Sequence, residues 1–396
     1  MLSVLDGIRV LDFGRYIAGP YCATLLSDMG ADVIRVEKPG TGSEDRWVTP
    51  VAAGGEGSLF MQVNRNKRGL TLNPKKDQGR EIVRRLVERS DVVVANLPPQ
   101  TLVDMGLDYA SLCKIRDDVI LSTVSAFGHG GPYSHRVGFD GIAQAMSGAM
   151  YLSGPPDEPC RLYYPWVDFT TAILTAFGTL AALLERQKTG RGQQVEGSLL
   201  ASSMTVANGT LIEQAVIQAD RVATRNRSQT SGPVDCYRTR DGWVQVLVIG
   251  QPLFERWVRL IGEEEPWLGD PRFATDQARG DNGELISARM QQWCDQYTTA
   301  ECLAALDEAR IPAGPVYSPQ QALDDPHIQA MQFMKDVDYP GLPKPAPVAD
   351  TPVRLSGTPG GIRHRAPRLG EHTAEILAGL GYSEAEVASL RSDGVV

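Results

Sequence analysis

The sequence predicts an α/β protein with a Rossmann-like parallel sheet in a large domain and a smaller α+β domain. Short apolar runs typical of strands alternate with helical segments as far as Ser125, and a long apolar helical segment follows at Thr171–Leu184. A hairpin signal appears only later, at Asp241-Gly242. Alternating strands and helices favour a parallel sheet covered on both faces, whereas a hairpin joins antiparallel strands. We therefore expect the large domain at residues 1–222, the small domain at 223–325 and a return to the large domain at 326–396.

Five strand-like runs in the N-terminal part define the predicted sheet. They are rich in Val, Ile and Leu, and helical segments separate them. Pro20 and Gly30 frame the first of these helices, because proline favours the start of a helix and glycine favours its end. The runs are Ile8–Phe13, Asp32–Val36, Gly69–Leu72, Asp91–Leu97 and Val119–Ser125.

The turn after the first strand does not have the spacing of a common nucleotide-binding loop. It reads Gly14-Arg15-Tyr16-Ile17-Ala18-Gly19 instead of G-x-G-x-x-G, and the chain contains no G-x-x-x-x-G-K-[ST] motif. The sequence therefore disfavours a nicotinamide dehydrogenase and a P-loop enzyme, and leaves an atypical dinucleotide site open.

Asp168 precedes the most apolar helical segment of the chain. From Thr171 to Leu184 the residues are apolar or small on every face, so we expect a helix buried on all sides, which ends at Gly190. A carboxylate just before the helix can accept hydrogen bonds from its first N–H groups, and the helix dipole favours the ionised form. By itself, this pattern is typical of a helix cap.

The segment after residue 222 has the pattern of a small α+β domain. A polar linker, ATRNRSQTSG, leads to the hairpin signal within Cys236–Val248. Thr298 and Glu301 have the spacing of a capping box. Helices are predicted at Leu253–Ile261, Glu284–Gln296 and Thr299–Ala309.

Composition limits the kinds of partner. The 396 residues carry a formal net charge of −9, which argues against nucleic-acid and anionic-membrane partners. The six cysteines are scattered, without a C-x-x-C pair, as expected of free thiols in a reducing compartment. The N-terminus shows no secretory signal, and the longest apolar run is interpreted as too short to span a bilayer. We expect a soluble cytoplasmic protein.

A series of motifs, in order along nearly the whole chain, resembles the family III CoA-transferases, or CaiB/BaiF family, which includes formyl-CoA transferase and carnitine CoA-transferase. The motifs are GIRVLDFGRYIAGP at Gly7–Pro20, MGADVIRVEKPG at Met29–Gly40, NRNKRGLTLN at Asn64–Asn73, FGHGGPY at Phe127–Tyr133, AALLERQKTGRGQQVEGSL at Ala181–Leu199, IPAGPVYS at Ile311–Ser318 and APRLGEHTAEIL at Ala366–Leu377.

The resemblance implies that Asp168 is the catalytic nucleophile. It also implies that coenzyme A or acyl-CoA binds as a substrate, with no permanently bound cofactor and no metal. The family's CoA contacts fall on Ile17, Ala18, Lys38, Leu72, Asn73, Lys75, Asn96, Leu97, Pro98, Val137, Gly138, Phe139 and Asp140.

A basic cluster is a further candidate for CoA binding. Asn66, Lys67 and Arg68, followed by Lys75 and Lys76, suit phosphate groups in an otherwise acidic protein. The alternative interpretation is a solvated helix start.

Two departures from the family pattern affect the predicted substrate. The basic residue common in the family near Asp104 is absent, so one phosphate contact of CoA is lost or supplied elsewhere. Ile249-Gly250-Gln251 replaces the glycine run that closes over the active site in formyl-CoA transferase. Formyl-CoA or oxalate specificity is therefore not implied.

The related α-methylacyl-CoA racemases are the nearest alternative. They use a histidine in a G-H-D segment for proton transfer, but this chain has Gly138-Phe139-Asp140, and a phenyl ring carries no proton. His129 and His135 lie nearby and are interpreted as solvated loop residues. A non-enzymatic CoA-binding protein is the alternative from a different class.

The resemblance therefore predicts a CoA-transferase that moves CoA from an acyl-CoA donor to a free carboxylic acid. It implies that the transfer passes through an aspartyl anhydride and an aspartyl-CoA thioester on Asp168. It also implies an interlocked homodimer.

Overall fold

The computed structural model describes residues 3–396, which fall into two compact units. The first unit contains the described residues up to 147 together with 163–208 and 327–396, and the second contains 148–162 and 209–326. The boundary expected at residue 222 thus falls at residue 208, and residues 148–162 also belong to the second unit. One reason is a long-range hydrogen bond within that unit, from the Arg225 N–H to the Gly154 carbonyl at 2.8 Å.

The helices and strands are labelled here in chain order. The strands are β1 Arg9–Asp12, β2 Asp32–Glu37, β3 Lys67–Thr71, β4 Val92–Ala95, β5 Ile120–Ser125, β6 Gln194–Ser198, β7 Val234–Arg238, β8 Trp243–Leu247, β9 Ala313–Pro315, β10 Met334–Val337 and β11 Ala346–Ala349. The α-helices are α1 Ala18–Asp28, α2 Ser58–Val63, α3 Asp77–Val87, α4 Pro99–Met105, α5 Tyr109–Cys113, α6 Asp140–Met146, α7 Trp166–Thr189, α8 Leu199–Ile217, α9 Gln251–Leu260, α10 Glu264–Leu268, α11 Asp276–Asp281, α12 Gly283–Cys294, α13 Thr299–Glu308, α14 Pro319–Asp324, α15 Pro326–Ala330, α16 Thr373–Gly379 and α17 Glu384–Ser392.

The first unit is built on a six-stranded sheet in the order β3-β2-β1-β4-β5-β6. Every neighbouring pair in it is parallel, so the predicted parallel sheet is confirmed. The five predicted runs form β1 to β5, and β6 is an additional strand that pairs with β5. In an open sheet of this order, ligands bind beyond the carboxyl ends of the strands, where the order reverses.

Both faces of this sheet are covered by apolar side chains, since successive residues of a strand point to opposite faces. In β1, Val10 packs with the cluster formed by α1 and α7, whereas Leu11 packs with the cluster formed by α3, α16 and α17. Val33 and Ile34 of β2 divide in the same way. The sheet is therefore a buried central layer, and its carboxyl edge is free to form a site.

Helix α7 differs from the prediction in two respects. It has 24 residues, so by length and composition it could cross a membrane, and the interpretation of its apolar run as too short was wrong. It packs against α1 and the parallel sheet. The expectation that it is buried on all sides was also wrong, because Ile173, Leu174, Phe177 and Leu184 are exposed. Its predicted end is confirmed at Gly190, with a φ of 69°.

The second unit has its own sheet and core. β7 and β8 form the predicted antiparallel hairpin around Asp241-Gly242, and β9 pairs antiparallel with β8. Helices α9, α12 and α13 pack on this sheet around the buried Trp257. The predicted capping box of Thr298 and Glu301 is present at the start of α13.

Candidate active site

A cavity of about 760 Å³ lies at the carboxyl edge of the parallel sheet in the first unit. Its wall comes from the segments that follow four neighbouring strands, β1 to β4, which is where this sheet order favours ligand binding. Five of the predicted CoA contacts line it: Lys38, Leu72, Asn73, Lys75 and Leu97.

Several residues of this cavity were not found from the sequence. Arg15, Thr41, Ser43 and Thr101 line it, and so does Gly394 from the C-terminal end of the chain. The first four follow strand ends, so position relative to the strands was a usable signal. Gly394 had no local signal in the sequence, because more than 300 residues separate it from Asn73. A hydrogen bond from the Asn73 N–H to the Val395 carbonyl brings the C-terminal end of the chain to the cavity.

Cationic side chains surround this cavity in an otherwise acidic protein. Lys38 Nζ lies 3.0 Å from Glu44 Oε1, and an Arg15 guanidinium nitrogen lies 3.8 Å from the same oxygen. The exposed Lys75 makes no ion pair within residues 3–396. Glu37 also lines the cavity but pairs with Arg46 at 2.6 Å. Glu44 thus stands against the three cations Arg15, Lys38 and Lys75, which leaves positive charge available for an anionic ligand such as a phosphate.

Asn96 does not line the cavity but fixes one of its walls. Its Oδ1 accepts the Arg15 N–H at 2.6 Å, and its Nδ2 donates to the Arg15 carbonyl at 2.8 Å. Nearby, Pro98 precedes α4, while Ile17 and Ala18 lie buried at the start of α1. None of these four predicted contact residues is among the residues that line the cavity, and Asn96 is tied to its wall through Arg15.

A buried ionic network supports the same wall from below. Asp12, at the end of β1, accepts the Gly14 N–H at 2.8 Å and contacts Lys67 Nζ at 2.8 Å and Arg35 at 3.3 Å. Arg35 also donates to the Gly14 carbonyl. Burial opposes ionisation of Asp12, but the two cations outweigh it and hold its pKa below the ordinary value.

The predicted basic cluster is not one cluster, and this interpretation has to be corrected. Asn66, Lys67 and Arg68 lie near the amino end of β3, whereas Lys75 lies beyond its carboxyl end. The Lys67 ammonium is buried and is taken up by Asp12, the carbonyls of Pro20 and Val63, and Asn64 Oδ1.

The two neighbours of Lys67 in the sequence, Asn66 and Arg68, are engaged as well. The Asn66 amide donates to Asp28 Oδ1 and to the Gly361 carbonyl, both at 2.9 Å. Arg68 pairs with Asp32 at 2.7 Å and with Glu375 at 2.9 Å. This geometry argues for structural roles of all three residues, and against phosphate binding.

The predicted segment Val137–Asp140 leads into α6. Val137 and Phe139 are exposed, and the Phe139 ring contacts the Tyr16 ring edge-on, with 5.7 Å between centroids. Gly138 is required by close packing, because a Cβ there would lie 2.8 Å from the Ala126 Cβ. Since Tyr16 follows Arg15 of the cavity wall, the aromatic pair joins the cavity region to the start of α6.

Asp168 lies inside the first turn of α7 and is not the cap of that helix. The helix begins at Trp166, after Pro165, and Asp168 is its third residue. The capping carboxylate is Asp140, which accepts the N–H groups of Val167 at 2.8 Å and Asp168 at 3.2 Å. The sequence-based interpretation of Asp168 as a helix cap was therefore wrong.

The expected ionisation of Asp168 also needs correction. Burial, and then the negative charge of Asp140, raise its pKa from 3.8 to about 7. The helix dipole, which favours the anion, is outweighed by these two effects. Within residues 3–396, no cation pairs with Asp168. The result is a carboxylate that is more basic than an ordinary aspartate and ionises near neutral pH.

Comparison with known proteins shows to which family this chain is similar. The family model for CoA-transferase family III matches residues 5–373. The chain is 34% identical to the succinyl-CoA–D-citramalate CoA-transferase of Chloroflexus aurantiacus, over 99% of this chain and 98% of that protein. It is 36% identical to the succinyl-CoA:mesaconate CoA-transferase of Haloarcula marismortui, over 95% of this chain and 96% of that protein. The crystal structure of a CaiB/BaiF family protein from Brucella suis aligns with a TM-score of 0.84 and 32% identity, and covers 96% of this chain and 100% of that one.

Three findings agree with one another. The family model matches nearly the whole chain, the structure is α/β with a parallel six-stranded sheet, and the alignment with named transferases is near-complete. The chain belongs to CoA-transferase family III and is an enzyme that transfers CoA between an acyl-CoA and a carboxylic acid.

Proposed function

We propose that this enzyme transfers CoA through covalent intermediates on Asp168, with the CoA moiety held in the cavity at the carboxyl edge of the sheet. The observation that carries the proposal is Asp168 itself, a partly buried carboxylate with a pKa of about 7 and no cation partner within residues 3–396. A carboxylate of raised basicity is a stronger nucleophile, and it is ionised at and above neutral pH.

The covalent route divides one difficult exchange into easier steps. An Asp168 oxygen attacks the thioester carbonyl of the donor, the C–S bond breaks, and CoA leaves as a thiolate. The thiolate then attacks the aspartyl carbonyl of the mixed anhydride, which expels the donor acid as a carboxylate and leaves an aspartyl-CoA thioester. The acceptor carboxylate reverses both steps and restores the Asp168 carboxylate.

The residues that line the cavity would hold the CoA moiety. Arg15, Lys38 and Lys75 would contact the phosphates, and Leu72 and Leu97 would contact apolar parts of the ligand. The Tyr16–Phe139 pair lies between this wall and the segment that holds Asp168, which supports a path from the phosphates to the nucleophile.

For the acids, we propose succinyl-CoA as the donor and a dicarboxylic acid as the acceptor. The support is that both named relatives above are succinyl-CoA transferases with a dicarboxylic acceptor. The absence of the glycine run at Ile249-Gly250-Gln251 is consistent with this choice over formyl-CoA. A panel of mono- and dicarboxylic acids with succinyl-CoA and acetyl-CoA tests the choice, and transfer to monocarboxylic acids alone would refute it.

We further propose that the active enzyme is an interlocked homodimer. Exposed apolar side chains on α7 support this proposal, since exposed apolar surface marks an interface: Ile173, Leu174, Phe177 and Leu184. Light scattering should give about twice the chain mass of 43.0 kDa, without dissociation on dilution. A monomer at micromolar concentration would refute the interlocked form.

The covalent route is tested by trapping. Wild-type enzyme treated with the donor acyl-CoA and then with hydroxylamine should carry a hydroxamate on the peptide that contains Asp168. Asp168→Ala and Asp168→Asn should fold but lose essentially all transfer. Glu185→Gln, which changes an exposed carboxylate of the same helix, is the matched control and should behave as wild type. If Asp168→Ala keeps more than about a tenth of wild-type kcat, which is a loss below roughly 1.4 kcal/mol, then Asp168 is not the nucleophile.

A further inference from the structure

Asp140 supports the first turn of α7 from another helix. It is the first residue of α6 and is 5% exposed. Its Oδ2 accepts the N–H groups of Val167 and Asp168, whereas Pro165 before the helix provides no side-chain cap. Helix N-termini leave such donors without intrahelical partners, so the Asp140 carboxylate satisfies two of them and fixes the backbone that carries Asp168.

The other oxygen of Asp140 is also engaged within the protein. Oδ1 accepts the Gln144 Nε2–H at 2.5 Å, and Gln144 is 1% exposed. This bond lies along one turn of α6 and holds the carboxylate plane in one orientation. A buried group with both oxygens bonded internally does not fit the predicted role of Asp140 as a CoA contact. It fits the role of a residue that acts through Asp168.

The negative charge of Asp140 raises the pKa of Asp168, and no charged side chain of the helices and strands that pack against α7 offsets this effect. Helix α7 packs against α1, α6, β5 and β6. In α1, Asp28 is paired with Arg65 at 2.7 Å, and Cys22 faces Thr179, three turns from Asp168. In β6, Gly197 faces α7 beside Thr175, so the adjacent Glu196 points to the other face of the sheet.

The remaining titratable groups of these elements do not offset that charge. Tyr21 of α1 contacts Phe169 through its ring, and a phenol supplies no positive charge. β5 contains no ionisable side chain other than hydroxyl groups, and Asp140 is the only charged residue of α6. Apart from burial, the Asp140 charge is thus the cause that raises the pKa of Asp168.

We propose that Asp140 is a positioning residue for the covalent step, which fixes the Asp168 backbone and makes the ionised Asp168 less stable than its acylated form. The inference rests on the proposed nucleophilic role of Asp168. When Asp168 attacks the thioester, its negative charge passes to the departing CoA sulfur, so the repulsion from Asp140 is present before attack and relieved afterwards. An interaction that disfavours the ground state and is lost in the transition state accelerates the chemical step.

The test separates the charge of Asp140 from its hydrogen bonds. In Asp140→Asn the amide oxygen can still accept both N–H groups of α7, so at the start of that helix only the charge is lost; the amide nitrogen replaces the oxygen that accepts from Gln144, so that one bond changes as well. We expect the acidic limb of the kcat/KM profile to move to lower pH, and the rate of Asp168 acylation at pH 8–9 to fall, by at most about tenfold for each pKa unit that Asp168 loses. Asp140→Glu keeps the charge and should restore the wild-type limb. Asp140→Ser, a second uncharged cap, serves if the Asn protein does not fold.

A direct titration of the Asp168 carboxyl, by isotope-edited infrared spectroscopy, provides a readout that needs no turnover. The Asp168 pKa should fall in Asp140→Asn and in Asp140→Ser, but not in Asp140→Glu. If the uncharged variants keep both the wild-type pKa of Asp168 and the wild-type acidic limb, Asp140 is only a structural cap and the inference is wrong. Retained transfer in Asp168→Asn is a different result, which removes the proposed function itself.

Discussion

Replacing Asp168 by Asn should stabilise the folded enzyme, and the gain should depend on pH. The folded-state pKa of about 7 lies above the ordinary value of 3.8, so the folded protein holds the proton more tightly than the unfolded chain does. The stability that this proton contributes is complete below about pH 4 and is lost as the pH rises through 7. Asn remains neutral at every pH, so the variant escapes this loss.

The size of the effect follows from the displacement of the pKa. One pKa unit corresponds to about 1.4 kcal/mol, so a displacement from 3.8 to about 7 gives an upper bound of about 4 kcal/mol. Because Asp168 is only partly buried, solvent screening reduces this value, and we expect about 2 kcal/mol above pH 8. With an unfolding entropy of about 0.8 kcal/mol/K for a chain of this length, the melting temperature should rise by about 2 °C.

Thermal melts of wild type and Asp168→Asn between pH 5 and 8.5 measure this difference. The variant should melt higher than wild type by a larger margin at pH 8.5 than at pH 5, because the wild-type protein loses more of this stability as the pH rises. Glu185→Gln, an exposed carboxylate on the same helix, should show no such pH-dependent gain. An equal difference at both pH values, or a less stable Asp168→Asn at pH 8.5, would refute the raised pKa and the reasoning from burial and Asp140.

Three further predictions concern other residues. Lys67→Met should reduce the free energy of unfolding by about 3–5 kcal/mol, because it leaves the buried Asp12 with one cation fewer. Urea denaturation measures this loss, and an unchanged midpoint would contradict the structural role of Lys67. Lys75→Ala should raise the KM for acyl-CoA roughly 10- to 150-fold, because it removes a charge-assisted hydrogen bond of about 1.5–3 kcal/mol. Lys188→Ala, at the far end of α7, should not change the KM, and equal KM values in the two variants would remove Lys75 from the phosphate site. Because Phe139 stands in place of a proton carrier, the enzyme should not exchange the α-proton of a 2-methylacyl-CoA in deuterated water. Deuterium uptake detected by mass spectrometry, at a rate comparable with transfer, would restore the racemase alternative.

Local patterns in the sequence were sufficient for the parallel sheet. Each strand is an apolar run whose two faces are both buried, so its pattern does not depend on which strand lies beside it. For the same reason, residues directly after strand ends, such as Lys38, Asn73 and Leu97, could be assigned to the cavity edge through the family resemblance. The hairpin at Asp241-Gly242 and the capping box at Thr298 were also predictable, because both are interactions between residues close in the chain.

The sequence alone therefore determined the α/β class, because apolar periodicity is a local property. The order of its motifs indicated the family, and the resemblance to that family implied Asp168 as the candidate nucleophile. Only the tertiary structure decided how that residue is held and charged. The capping carboxylate, Asp140, lies 28 residues earlier, and the partner that buries Lys67 away from any phosphate, Asp12, lies 55 residues earlier. Burial and the charge of a distant residue set the pKa of a carboxylate, and neither property can be read from the neighbours of that carboxylate in the chain.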